Sequence, residues 1–183
     1  MMNIYYCYED SPVGKLLLLA QRNKLIYLKF ETEQTILNDN WILKEELPLF
    51  LQVKTMLKRY FDGEKETFSG VPLNPYGTNF QHRVWQALLK IPYGQSFSYS
   101  KLAVDIGYPK AFQAVGGAVG RNPISIIIPC HRVLGKDCSL TGFGGGLTIK
   151  RQLLDLEHIF YLDKRVEFVK PKSLKNIKFN RTL

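Results

Sequence analysis

Residues Ser98–Gly120 read SYSKLAVDIGYPKAFQAVGGAVG. Ser98 can cap a short helix from Tyr99 to about Ile106, and Gly107 ends it. Tyr108-Pro109-Lys110 makes a tight turn, and a second helix runs from about Ala111 to Val119, closed by Gly120. Helix, glycine-containing turn, helix: these are the proportions of a helix-turn-helix. The second helix is bare, with Ala111, Ala114, Gly116, Gly117 and Ala118 along it. Each interior glycine costs a helix roughly 1 kcal/mol relative to alanine, so close approach to this backbone is expected. Either a neighbouring helix packs there, or the helix enters a narrow groove.

Working upstream, Thr78-Asn79-Phe80-Gln81 has capping-box spacing and opens a helix to about Lys90. Phe80, Val84, Ala87 and Leu88 form its apolar stripe, and His82 falls off that stripe, at the surface. Val71–Gly77 (VPLNPYG) is an extended crossing between domains. Residues 1–78 read as a small α/β unit. It has a strand over Ile4–Tyr8 and a turn at Ser11–Gly14. A hairpin follows, with arms Lys15–Ala20 and Leu25–Phe30 about the turn Gln21–Lys24, and Pro48 opens a helix through Phe61. The expected fold is thus an α/β N-terminal domain (1–78), a mainly α C-terminal domain with the helix-turn-helix (79–160), and a tail (161–183).

Composition narrows the class. The chain has 183 residues, 45% hydrophobic and 22% charged, which excludes disorder, collagen and coiled coil. Its longest apolar run, Leu16–Ala20, is far too short for a membrane span, and no secretory signal opens it. Cys7, Cys130 and Cys138 form neither a C-x-x-C pair nor an even set, so free thiols in the cytoplasm (or nucleus) are expected. The net charge of +9 is uneven: residues 1–78 hold nine Lys/Arg against ten Asp/Glu, residues 79–160 nine against four, and residues 161–183 seven against two. Either a polyanion partner or a solvated basic surface accounts for that excess. The tail's Val166, Phe168 and Val169 leave open a packed extension as well as a DNA-binding role.

Downstream, Ser125–Val133 reads SIIIPCHRV. The three isoleucines predict a buried strand that Pro129 ends, so the chain turns as it delivers Cys130 and His131. Thr148 can cap a last helix from Ile149 to about Glu157, on which Glu157 shares the apolar face of Ile149, Leu153 and Leu156. A carboxylate on a buried face needs a partner, and an imidazole is a natural one. Glu157 orienting His131, with His131 drawing the proton from Cys130, would make a thiolate nucleophile. Cys7, in an aromatic strand, reads instead as a packed small hydrophobe.

Ile128–Val133 (IPCHRV), preceded by Gly120-Arg121-Asn122-Pro123, resembles the signature of the O6-alkylguanine-DNA alkyltransferases, also called methylated-DNA–protein-cysteine methyltransferases. The similarity runs over residues 79–158 and includes Pro109-Lys110-Ala111, Ala114–Gly117 and Gly145-Gly146-Leu147. The resemblance implies direct repair of double-stranded DNA by a monomer, without cofactor or metal. The damaged base is flipped into a pocket, and the alkyl group of O6-alkylguanine (and O4-alkylthymine) passes irreversibly to Cys130 in a single turnover. It implies that Tyr99 donates to the leaving base, that Asn122 braces the thiol turn, and that His131 passes a proton, through a water, to or from Glu157. Arg132 would tie the loop down. Lys110, Gln113, Ala114, Gly116, Gly117 and Arg121 would meet DNA, and Pro129, Val133, Phe143, Gly144 and Gly145 would line the pocket.

Three positions depart from that pattern. Gln113 stands where an arginine fills the gap left by the flipped base, Phe143 where the pocket has tyrosine, and Gly144 where it has a small hydroxyl residue. Two rival readings are a non-enzymatic DNA-damage sensor or regulator, and a cysteine hydrolase. Sensors of that kind lack the reactive cysteine, and adjacent Cys and His are atypical of the hydrolase.

Overall fold

The computed structural model describes residues 3–31 and 37–163, so most of the expected tail lies outside the described residues. Two compact units emerge: Met1–Tyr76 with Pro123–Ser125, and Gly77–Asn122 with Ile126–Leu183.

The first unit is a four-stranded sheet with one helix. Strands β1 (Ile4–Glu9), β2 (Leu16–Gln21), β3 (Lys24–Phe30) and β4 (Trp41–Leu43) lie in the order β3-β2-β1-β4. The β2–β3 hairpin turns on Arg22 and Asn23, both left-handed (φ 51° and 55°). Such a two-residue turn matches the strands' own twist. Every residue of β2 from Leu16 to Ala20 is buried, so both sheet faces are covered there. On one face Leu17, Leu19 and Ile26 cluster with Tyr6, Tyr8 and Trp41. Helix α1 (Pro48–Phe61) starts on its proline as expected, and its Lys54 reaches Glu9 of β1 at 3.4 Å.

Two extended segments dock on β3. Leu25 exchanges backbone hydrogen bonds with Pro72 and Asn74, and Leu28 does so with Pro123 and Ser125. The expected crossing is therefore tied to a sheet edge.

The second unit is helical. Helix α2 (Asn79–Leu88) begins with the complete capping box of Thr78 and Gln81. Trp85, which the stripe omitted, is buried and donates through Nε1 to the Ala118 carbonyl; His82 is partly buried, edge-on to it. A two-residue strand β5 (Phe97–Ser98) leads into α3 (Tyr99–Asp105), and α4 (Phe112–Gly120) completes the helix-turn-helix. Strand β6 (Val133–Leu134) pairs with β5 in parallel. Helix α5 (Leu147–Leu156) packs through Leu154 against Leu134, Ile159 and Tyr161.

Two local expectations fail. Ile126, Ile127 and Ile128 are buried but form no strand; the bridge to β3 in this stretch is made by Ile124, ahead of them. Ile126 then adopts φ 70°, a conformation β-branched residues rarely take, and the chain turns away. Burial, not pairing, uses the three isoleucines. Thr148 caps nothing: α5 starts one residue before it, from Gly146 at φ 85°, and the Gly146 N–H donates to the Phe143 carbonyl. Among the described residues no helix is long and apolar enough to cross a membrane.

Candidate active site

The site grows from a turn. With regular pairing over, Cys130–Arg132 closes into one 3-10 turn, its Arg132 N–H donating to the Pro129 carbonyl. Three consecutive side chains thereby point into the second unit's interior, and all three are buried.

Asn122 fixes the first. Its Nδ2 donates to the Ile128 carbonyl at 2.8 Å and to Cys130 Sγ at 3.0 Å. An amide donor aimed at sulfur favours the thiolate over the thiol.

Glu157 organises the other two. Oε1 lies 2.7 Å from His131 Nε2 and 3.0 Å from Arg132 Nη2, while Oε2 takes Arg132 Nε at 2.7 Å and the Gly94 N–H at 3.2 Å. Arg132 Nη1 donates to the Ile91 carbonyl at 2.6 Å, closing the fork. Burial alone would raise the Glu157 pKa; the hydrogen bonds and charges of His131 and Arg132 outweigh it and pull it down to about 2. The shift favours the ionised carboxylate, which accepts from both neighbours. Burial lowers the His131 pKa despite the opposing pull of Glu157, which favours the neutral ring. An ionised carboxylate only accepts, which places the ring's single proton on Nε2 and leaves Nδ1 as the base.

Tyr99, the first residue of α3, sets its hydroxyl 2.8 Å from Thr141 Oγ1, and burial raises its pKa. Pro129 and Val133 are buried beside the thiol turn. Phe143 and Gly145 are partly exposed and Gly144 is exposed; a Cβ on Gly144 would meet only the Gly120 carbonyl, at 3.9 Å.

Helix α4 shows its bare face. Lys110, Gln113, Ala114 and Arg121 are exposed, with Gly116 and Gly117 partly so. A Cβ on Gly116 would lie 3.7 Å from two carbons of the Tyr99 ring, an ordinary contact. On Gly117 it would meet the flexible end of Arg121 at 3.0 Å, and on Gly120 nothing within 4 Å. Among the described residues no other backbone or helix crowds these glycines, so packing there does not demand them.

The sequence reading missed Lys150 and Thr141. Lys150 is fully buried, donating to the Val133 carbonyl at 2.6 Å and the Thr141 carbonyl at 3.2 Å. Its spacing was a signal: it precedes Leu153, Leu154 and Glu157 by three, four and seven residues, on one face of α5.

A helix-turn-helix with a bare outer helix, sharing its unit with a braced thiol, defines a DNA-binding domain built around a nucleophile. The chain belongs to the 6-O-methylguanine DNA methyltransferase family. Residues 79–159 match its DNA-binding domain and residues 4–75 its ribonuclease-like domain. The methylated-DNA–protein-cysteine methyltransferase of Haemophilus influenzae is 54% identical over 175 residues, covering 96% of this chain and 98% of that protein. The constitutive enzyme of Bacillus subtilis is 42% identical, covering 87% and 99%. The Mycobacterium tuberculosis OGT solved in complex with DNA superposes with a TM-score of 0.76 at 44% identity, covering 84% of this chain and 92% of that one.

Proposed function

We propose that this protein, as a monomer, repairs duplex DNA by moving the alkyl group of O6-alkylguanine, and of O4-alkylthymine, onto Cys130, once per molecule. The observation that carries this is the Asn122 amide on Cys130 Sγ, in one unit with the Glu157–His131 pair.

His131 Nδ1 takes the thiol proton through a water, and the resulting imidazolium is stabilised by the Glu157 anion at Nε2. The thiolate attacks the alkyl carbon in line as the C–O6 bond breaks. Guanine leaves as an anion unless it is protonated, and Tyr99 supplies that proton. The N–H groups of the Phe143–Gly145 loop face the developing charge on O6. The thioether has only a carbon nucleophile as its leaving group, so the protein is consumed.

Lys110 and Arg121 flank α4 and hold phosphates, while the glycine face enters the minor groove and Gln113 occupies the space of the extruded base. The glycines that internal packing leaves unexplained support this placement.

The test is intact mass after incubation with a duplex containing O6-methylguanine. A stable gain of one methyl group, mapped to Cys130, is expected. DNA binding with unchanged mass would make the protein a sensor, and turnover without modification a hydrolase.

A further inference from the structure

Thr141 Oγ1 stands between Tyr99 Oη at 2.8 Å and Lys150 Nζ at 3.4 Å. The mechanism above uses Tyr99 but neither of the other two, yet a wholly buried lysine needs a reason. Its two carbonyl partners satisfy part of the ammonium, and the third donor points at the threonine hydroxyl.

Donor arithmetic then sets the direction of the chain. An ammonium has three protons and no lone pair, so Lys150 can only donate to Thr141. A hydroxyl has one proton and two lone pairs; with Lys150 donating to one lone pair, the Tyr99 oxygen is the one of its two neighbours that can take the Thr141 proton. In that arrangement Tyr99 accepts, and its own proton points away from the pair. We propose that Thr141, held by Lys150, is a positioning residue that aims the Tyr99 hydroxyl as a donor at the leaving base. This rests on the reading of Tyr99 as proton donor, and no bond is made or broken at Thr141.

The direction depends on charge. A neutral Lys150 gains a lone pair, Thr141 can donate to it, and Thr141 then accepts from Tyr99, withdrawing the proton the base needs. Burial brings the Lys150 pKa down to about 8, against an upward pull from Cys130. The titratable groups facing Lys150 are Cys130 and His131 from the 3-10 turn and, across Thr141, Tyr99 from α3. Tyr99 itself stays protonated there, because burial raises its pKa.

The experiment compares the full chain with Thr141→Val and Thr141→Ser. Single-turnover methyl transfer from an O6-methylguanine duplex is followed from about pH 6 to about pH 10, with melting temperature recorded alongside. Valine keeps the shape and removes the hydroxyl; serine restores it. The wild type and the serine variant are expected to lose rate as pH passes about 8. The valine variant should be about tenfold slower near neutrality and lack that falling limb. Wild-type rate and limb in the valine variant overturn the proposal, as does a serine variant that melts normally but behaves like valine. If the wild type accepts no methyl group, the functional reading falls too; if it does and Thr141→Val matches it, this inference alone fails.

Discussion

Cys7 in the first unit and Cys130 in the second are both buried. Cys7 sits mid-strand in β1, opposite Leu18 of β2, and burial pushes its thiol up to about 12. Cys130 sits on a turn, under the Asn122 amide and near the Lys150 ammonium. Carboxylates repeat the contrast. Glu66 in the first unit accepts from the Thr67 and Phe68 N–H groups and pairs with Arg59 at 3.1 Å, holding one loop. Glu157 gathers His131 and Arg132 from one stretch of chain and Gly94 from another. Burial by itself does not distinguish a packed group from a working one. What distinguishes them is whether donors converge on the group from several elements, because that arrangement fixes charge as well as position.

The largest expected effect separates the two thiols. Cys130→Ala should abolish methyl transfer while leaving duplex affinity and melting temperature close to wild type, since phosphate contacts carry most of the affinity. Cys7→Ala should do the reverse, melting lower through a small cavity and transferring at the wild-type rate. Intact mass with thermal melting reads both. Methyl acceptance by Cys7 or Cys138 in the Cys130→Ala protein would break the contrast.

Glu157→Gln tests the carboxylates. The buried Arg132 guanidinium loses its counter-ion, which costs on the order of 3–5 kcal/mol. His131 loses the anion that stabilises its protonated form, and transfer should slow about 100-fold. Stability should also change its pH dependence. A carboxylate whose pKa falls from 4.5 to about 2 on folding contributes fully above 4.5 and progressively less as pH drops toward 2. The wild type should lose that contribution across this acidic window and the glutamine variant should not; denaturant melts at several pH values check it. Parallel curves would mean that Glu157 is not held as an anion.

Much of this site was legible in the chain. The thiol and imidazole sit in one short motif, and helical periodicity placed Glu157 on a buried face. Arg132, which the family resemblance implies is a loop tie, bonds Glu157 and the Ile91 carbonyl. Thr141 carries no signal in the chain, and the spacing of Lys150 on the face of Leu153, Leu154 and Glu157 is a weak one, because a lysine in a helix is solvated by default and only two carbonyls from other segments make its burial tolerable. The isoleucine run misled for a related reason. β-branched residues fit a strand, but tertiary packing used these three for burial and bent the backbone at Ile126. The hairpin and α1 rest on purely local signals, and such signals survive tertiary context best.

A smaller effect is expected on the outer face of α4, where Gln113 is exposed. Gln113→Arg should speed repair of duplex several-fold at saturating DNA while barely changing reaction with the free O6-methylguanine base. Extruding a base costs a few kcal/mol, and a longer, charged side chain fills the vacated space better. An unchanged saturated duplex rate would show that Gln113 fills the gap adequately or that extrusion does not limit the rate.

The smallest effect concerns Gly116, where the two explanations of a bare helix predict opposite signs. If the glycine served packing within the unit, alanine would push α4 away from Tyr99 and lower the melting temperature. The added Cβ instead lands 3.7 Å from two carbons of the Tyr99 ring, an ordinary van der Waals contact. Alanine also removes a helix penalty of up to about 1 kcal/mol. Gly116→Ala should therefore melt at or slightly above the wild-type temperature. Its duplex affinity should fall, because the methyl group stands where the groove must approach the backbone. Salt separates that cost from charge: the dependence of affinity on salt counts phosphate contacts, which the substitution leaves alone. Weaker binding with an unchanged salt slope would assign Gly116 to the DNA. A lower melting temperature with unchanged affinity would assign it to the protein's own interior.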